Sequence, residues 1–294
     1  MVDLCVVIPT THKCQAVDQL ARHLLRTSPV TTTVVVVDNG PGASGGGWAT
    51  DEYQLVFRPE YLGSEQAFVL GLKVAPHAGR YLLMDHDASI DERFLEVLLS
   101  AATDPAAVYS ANQNGDGSSW DRRNGRAPAP RDCTPRVVRV DFAPWSGLLL
   151  SERAAEIVRA QNSGLFFFWD DYLLCHVLRR EGITIWGVPG AAIGNDNYAN
   201  DFPSAWRTYY RARNHILFQR ETGFGGRFEL ILVRGKEILM LLGRRGRFPR
   251  VYANLRGIVD GICGRRGGRM LPDDSWRVPG KDGSGARSGV LRGT

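Results

Sequence analysis

The sequence predicts an α/β protein: a doubly wound, mostly parallel central sheet flanked by helices, with a helical and basic C-terminal extension. Three observations predict it. In the first half, short apolar or β-branched runs alternate with segments of helical periodicity, as βαβ units require. Polar clusters stand where such runs end, at Pro9-Thr10-Thr11, Asp38-Asn39-Gly40, Asp85-His86-Asp87 and Asp170-Asp171. From Pro203 onward the pattern turns helical and amphipathic, and residues 220–270 hold 12 Arg/Lys against 4 Asp/Glu. Since the whole chain carries only +5, the body preceding this stretch is slightly acidic.

Taken in order, Leu4–Ile8 reads as a short strand stopped by Pro9, and Val17, Leu20, Ala21, Leu24 and Leu25 recur at helical spacing before Pro29. Thr33–Val37 is β-branched enough for a strand buried on both faces. Gln54–Phe57 is a third strand, Phe68, Leu72 and Ala75 mark a helix, and Tyr81–Met84 is a fourth strand followed by a helix near Asp91–Ala102. Residues 112–136 are rich in Gly, Pro, Asn and Arg and read as a long surface loop. Strand character resumes at Val137–Asp141 and Gly147–Leu150, with Glu152–Ala160 helical. Phe166–Trp169 leads into Asp170-Asp171-Tyr172 and a helix carrying Leu173, Leu174, Val177 and Leu178, and Ile183–Val188 is a further strand. The expected division is residues 1–200 as the catalytic, nucleotide-binding domain, 201–264 as a helical module and 265–294 as a disordered tail.

Composition narrows the class. With 44% hydrophobic and 23% charged residues the chain is ordinary globular protein. Its five cysteines, Cys5, Cys14, Cys133, Cys175 and Cys263, lack CxxC or CxxH spacing, which argues against a disulfide framework or a zinc site and for a reducing cytoplasm. Asp3 stands where a signal peptide needs basic residues, and no apolar run approaches a membrane span. The first strand lacks a GxGxxG turn and the chain has no GxxxxGK[ST], against dinucleotide and P-loop binding. Aromatics do not interleave with the C-terminal arginines, so nucleic acid is not the expected partner. The apolar stretch 228–242 is interrupted by charges and followed by Arg244, Arg245, Arg247 and Arg250. It reads as an interfacial helix for an anionic membrane surface, or as a surface docking on the catalytic domain or a second subunit.

The triplet Asp85-His86-Asp87 is the most informative cluster. It follows an apolar strand abruptly, and in an open α/β sheet the carboxyl ends of strands open into the ligand crevice. Two hard oxygen ligands at i and i+2 suit a Mg²⁺ or Mn²⁺ that also holds phosphates. His86 between them faces the other way in an extended segment and is a spacer.

The motifs together resemble those of family 2 glycosyltransferases of the GT-A fold. They run in family order: Val6-Val7-Ile8-Pro9-Thr10, Val35-Val36-Val37-Asp38-Asn39-Gly40, Leu62-Gly63 with Gly71-Leu72, Met84-Asp85-His86-Asp87-Ala88, Trp145-Ser146-Gly147, Trp169-Asp170-Asp171-Tyr172 and Tyr209-Tyr210-Arg211-Ala212-Arg213-Asn214. The resemblance covers about residues 2–265, and its last two motifs are similar to those of the galactofuranosyltransferase and rhamnosyltransferase branch, which builds bacterial cell-surface glycans. It implies inverting transfer of a sugar from a UDP- or dTDP-linked donor to a glycan or lipid-linked acceptor.

It also implies roles. Pro9, Thr10, Thr11, Asp38, Asn39 and Arg58 would hold the donor nucleotide, with Asp38 on the base or ribose. Asp85 and Asp87 would bind Mn²⁺ or Mg²⁺ and the diphosphate. Asp171 would be the general base and Asp170 its neighbour, orienting substrate or adjusting the base. Trp145, Ser146, Gly147, Trp169, Arg213 and Asn214 would serve the acceptor, the tryptophans by stacking on sugar or by packing in the core, and Arg213 and Asn214 by reaching a diphosphate or by simply tying their helix to the catalytic domain. Relatives place a metal-binding His after the strand that follows the base helix. Here residues 190–197 contain none, so either Asn195 or Asp196 substitutes as an oxygen ligand or the metal is held more weakly. Two alternatives stay open: a non-catalytic glycan- or nucleotide-binding relative, and a sugar-phosphate nucleotidyltransferase, which Thr10-Thr11-His12-Lys13 fits poorly.

Overall fold

A computed structural model describes residues 2–11, 15–40, 52–58, 60–113, 137–195, 204–223, 235–236, 247–270 and 289–291. The elements are β1 (Val2–Thr10), α1 (Gln15–Thr27), β2 (Thr32–Asn39), β3 (Gln54–Arg58), α2 (Ser64–Val74), β4 (Ala78–Leu83), β5 (Ala88–Ser89), α3 (Phe94–Ala101), β6 (Val108–Gln113), β7 (Val138–Arg139), β8 (Leu148–Ser151), α4 (Glu152–Arg159), α5 (Asp170–Arg180), β9 (Ile185–Asn195), α6 (Ala205–Thr222), α7 (Arg247–Ile262) and β10 (Gly289–Leu291).

The sheet runs β10-β3-β2-β1-β4-β8-β6-β9-β5, with β7 also on β9. Strands β3, β2, β1 and β4 are parallel neighbours, and β8 then runs antiparallel between β4 and β6. The chain reverses direction across the sheet at β1, between β2 and β4. Such a switch point opens a crevice beyond the carboxyl ends of the strands.

Each central strand feeds two cores. Cys5 and Val7 of β1 and Val35 and Val37 of β2 face a layer with Phe68 and Leu72 of α2, Ala154 and Val158 of α4, and Leu174 and Leu178 of α5. Leu4, Val6, Ile8, Val34 and Val36 face the opposite layer with α1 and α3. Period-2 alternation with both faces apolar dictates a strand sandwiched between helices.

Two strands differ from expectation. β6 was not anticipated, because Ser110, Asn112 and Gln113 make it look like the start of a loop, yet all three are buried. β9 runs past Val188 to Asn195: between Ala111 and Asn112 the register with β6 jumps from Val188 to Ala192. The bulge absorbs Pro189-Gly190-Ala191, and Asn112 Nδ2 donates to Pro189 O at 3.3 Å.

The C-terminal helices pack closely on each other. Gly257 and Gly261 let α7 lie directly on α6, since a Cβ at these positions would come within 2.4 Å of Tyr209 O and 2.8 Å of Arg213 O. Residues 265–270, expected in the disordered tail, fold back on α6: Tyr210 Oη accepts from the backbone of Arg269 and Met270 and donates to Met270 O. Buried donors and acceptors on α6 capture this backbone, which composition could not indicate. The apolar stretch 228–242, except 235–236, lies outside the described residues, as does most of the remaining tail. Among the described residues no helix is long and apolar enough to cross a membrane.

Candidate active site

The strand ends collect the carboxylates. β4 stops at Leu83, and Asp85 and Asp87 occupy the turn beyond it, before the two-residue β5. β5 pairs with the end of β9, setting Ala88 against Asn195. The expected substitute ligand Asn195 thus has its backbone one residue across from Asp87; its side chain, and all of Asp196, lie outside the described residues.

The turn Trp145-Ser146-Gly147 underlies this corner. Gly147 takes φ 78°, donates its N–H to Leu83 O at 2.7 Å, and would clash through a Cβ with Ile193 and Ala111. Ser146 Oγ accepts the Asp85 N–H at 3.0 Å. Trp145 Nε1 donates to Asp170 Oδ2 at 2.9 Å, and its ring stacks on Phe68 at 5.1 Å. One buried turn therefore braces both acidic corners. Trp145 is only 6% exposed, which fits the core-packing role expected of it as the alternative to stacking on a sugar, and Ser146 and Gly147 shape the same turn.

Asp170 is buried, and Ser64 Oγ also donates to its Oδ2 at 2.5 Å. Burial raises its pKa above the usual carboxylate range, while the Ser64 and Trp145 hydrogen bonds pull the other way. Asp85 is pushed up to about 7, first by burial and then by the negative charges of Asp87 and Asp170, with Ser146 opposing. Asp85, Asp87 and Asp170 thus share one electrostatic neighbourhood. Asp171 follows Asp170 on the first turn of α5, is half-buried, and accepts the Tyr172 N–H at 2.9 Å. Successive helical residues point about 100° apart, so Asp171 is turned away from the pair of donors that hold Asp170.

The segment before α5 is strained. Phe166, Phe168 and Trp169 all have positive φ, at 72°, 61° and 68°, each costing roughly 1–3 kcal/mol in a non-glycine residue. Arg213 and Asn214, both fully buried, hold it. Asn214 Nδ2 reaches Leu165 O and Phe167 O at 2.6 Å and Phe168 O at 3.1 Å. Arg213 Nη2 donates to Leu165 O at 2.6 Å, Nη1 to Gly267 O at 2.6 Å, and Nε to Asn214 Oδ1 at 2.7 Å. Arg213 Nε is spent on Asn214 and the other bonds run to backbone carbonyls, so the two residues fix the loop that delivers Asp170 and Asp171, the tie expected of them as the alternative to ligand binding. Trp169 is half-buried with one face stacked on His215 at 4.3 Å, leaving at most one face for a sugar.

The nucleotide-side candidates line the ends of β1, β2 and β3. Thr10 and Asp38 are buried partners in register, Asn39 pairs with Arg58, and Thr11 and Arg58 are half-buried. Pro9 lies within β1 opposite Val37. The Asn39 amide is engaged internally, donating to Thr10 O at 2.8 Å and accepting the Leu62 N–H at 3.1 Å, so it shapes the crevice wall and keeps one of its two N–H groups beyond these bonds. Glu65 was missed by sequence reasoning. It is buried on α2 and accepts from Ser163 N and Oγ at 2.8 and 2.6 Å, tying α2 to the loop that leads to the strained segment. A carboxylate inside the first turn of an otherwise apolar helix was the available signal.

Among the described residues no three His, Cys, Asp or Glu side chains form a cage for an ion. Two hard carboxylates under mutual repulsion instead fit a Mg²⁺ or Mn²⁺ whose remaining ligands come from phosphate and water.

No protein-family model matches the chain, and neither does any curated protein. Solved structures do. A mannosyltransferase from Pyrobaculum calidifontis, in complex with GDP-Man and Mn²⁺, superposes with a TM-score of 0.56 at 12% identity, covering 90% of this chain and 88% of that one. GalNAc-T7 with UDP, GalNAc and Mn²⁺ gives the same TM-score and identity over 80% of this chain, which spans 55% of that chain's length. At such identity the likeness establishes the fold: a mixed α/β sheet of the GT-A glycosyltransferase type.

Proposed function

We propose that this chain is an inverting, divalent-metal-dependent glycosyltransferase. It moves a sugar from a UDP- or dTDP-linked donor to a hydroxyl of a glycan or lipid-linked acceptor, in the family 2 branch that handles galactofuranose or rhamnose. The observation carrying the reading is Asp85, half-buried beside Asp87 and close to Asp170 near the switch point, with its pKa raised to about 7. Concentrated negative charge at that location has a use if a cation and a diphosphate occupy it. The structural neighbours, whose complexes contain nucleotide or nucleotide sugar with Mn²⁺, support the donor class.

Mn²⁺ or Mg²⁺ held by Asp85 and Asp87 would neutralise charge on the departing nucleoside diphosphate. Asp171 takes the proton from the acceptor hydroxyl. That oxygen attacks the anomeric carbon opposite the diphosphate, the bond to the diphosphate breaks with its electron pair, and the configuration inverts. Asp170, held by Ser64 and Trp145, keeps the helix start in place and adds to the field at Asp85.

The test is nucleoside diphosphate release from a panel of nucleotide sugars, with and without metal. Asp171→Asn should lower turnover by about 10²–10⁴ while metal-dependent thermal stabilisation by donor persists. Asp87→Ala should remove that stabilisation. Turnover unchanged in both variants would sink the assignment.

A further inference from the structure

We infer that α7 is a membrane-docking helix for an anionic lipid surface. Of the large apolar side chains exposed among the described residues, five lie on this helix: Phe248 (74%), Tyr252 (61%), Leu255 (48%), Val259 (47%) and Ile262 (64%). Their spacing of four, three, four and three residues draws a single stripe along the helix. Ala253, Asn254, Gly257, Asp260 and Gly261 are buried on the opposite side, and Gly257 and Gly261 rest on the α6 backbone. Among the described residues the stripe therefore lies on the side of the helix opposite α6.

Charge identifies the occupant. Residues 247–270 contain six Arg and one acidic residue, Asp260. Asp260 is fully buried and held by Arg265 at 2.7 Å and by Arg256 and Arg269 at 3.5 Å, so it projects no negative charge. Arg256, Arg265 and Arg269 nonetheless keep 39%, 41% and 32% of their side chains exposed. A second copy laid along the stripe would bring a like-charged helix against it, whereas an anionic bilayer takes up both the apolar row and the surplus positive charge. The Phe248 and Tyr252 rings suit the interface between headgroups and acyl chains.

The position is useful. α7 lies on α6, and α6 holds the 164–168 backbone that leads to Asp171. A helix docked on a membrane would thus set the acidic crevice within two helix layers of the bilayer, where a lipid-linked acceptor would be met. That use rests on the proposed transfer; the docking itself does not.

The experiment is co-sedimentation of the full chain with vesicles of phosphatidylcholine alone or with added phosphatidylglycerol, paired with light scattering for oligomeric state. Binding to the anionic vesicles, weakened by salt, is expected. The triple variant Leu255→Gln, Val259→Gln, Ile262→Gln should bind about tenfold more weakly or less, with an unchanged melting temperature because the three side chains are exposed. Undiminished binding by the triple variant, or no binding by the parent chain, would overturn the proposal. So would a parent dimer that the triple variant dissolves. Binding needs no turnover, so vesicle attachment with every donor inert would remove the transferase reading and leave the docking helix. Turnover on a soluble acceptor without attachment would do the reverse.

Discussion

β1, β2 and β4 bury valine, leucine and isoleucine on both faces, whereas α6 buries Thr208, Arg213, Asn214 and His215 among its aromatics. The strands gain stability from apolar area and tolerate little polarity, and their functional groups appear only where the strands end. α6 gains its place through hydrogen bonds to backbone that would otherwise be orphaned inside the protein. Both regions converge on Asp170 and Asp171, from β4 through the Trp145-Ser146-Gly147 turn and from α6 through the strained loop. The sheet decides where the crevice is; α6 decides how one wall of it is held.

Paired substitutions separate the two kinds of support. Asn214→Ala deprives the Phe167 and Phe168 carbonyls of their donor, and at roughly 1–3 kcal/mol per buried unsatisfied group it should cost about 3 kcal/mol. Leu24→Ala, on the sheet-packing face of α1, should cost a similar amount, about 2–5 kcal/mol. Urea denaturation measures both losses. They should part in turnover: Leu24→Ala keeps kcat under folding conditions, while Asn214→Ala lowers it because the strained segment relaxes and carries Asp171 with it. Equal kcat in the two variants would contradict the positioning role of α6.

A smaller effect probes the turn shared by both acidic corners. Trp145→Phe keeps the stacking on Phe68 but removes the indole donor to Asp170, at a cost of about 2 kcal/mol for a hydrogen bond to a charged group. Retained stability would mean that Ser64 alone satisfies the carboxylate.

The smallest effects are slopes of stability against pH, and they run in opposite directions. Burial raises Asp260, but hydrogen bonds from Tyr209 and Arg265 and the charges of Arg256 and Arg265 outweigh it, so its pKa falls below the ordinary value. Its stabilisation is complete above the unfolded carboxylate pKa and is lost as pH falls through the lower folded value. Burial raises Glu65 despite the Ser163 hydrogen bonds. Stability at that site is greatest below the unfolded pKa and declines as pH rises through the raised folded value. Asp260→Asn should flatten the acid limb of a pH–stability profile and Glu65→Gln the limb above the ordinary carboxylate range. The same slope change from both would disprove the assigned directions.

Much of the parallel block was legible because its strands obey one local rule: consecutive apolar residues packed on both faces, ended by polar clusters. β6 was not legible, since buried Asn112 finds its partner in Pro189 O, 77 residues away, which no local pattern reveals. The site was legible as a set of residue types more than as roles. Asp85, Asp87 and Asp170 read as acidic groups beyond apolar runs, and they share one electrostatic neighbourhood. Trp145, Arg213 and Asn214 read both as ligand-binding and as structural groups, because a donor looks the same in sequence whether it faces a sugar or a carbonyl.

The sequence by itself determined the alternation of strands and helices, the polar strand ends and the basic C-terminal stretch, because these follow from periodicity and composition within a dozen residues. Only the tertiary structure decided which polar side chains are spent inside the protein. Arg213 meets Gly267 and Leu165 across some fifty residues of chain, and Trp145 meets Asp170 across twenty-five. Such pairings depend on which backbone groups folding strips of water, and that is settled by how the layers pack.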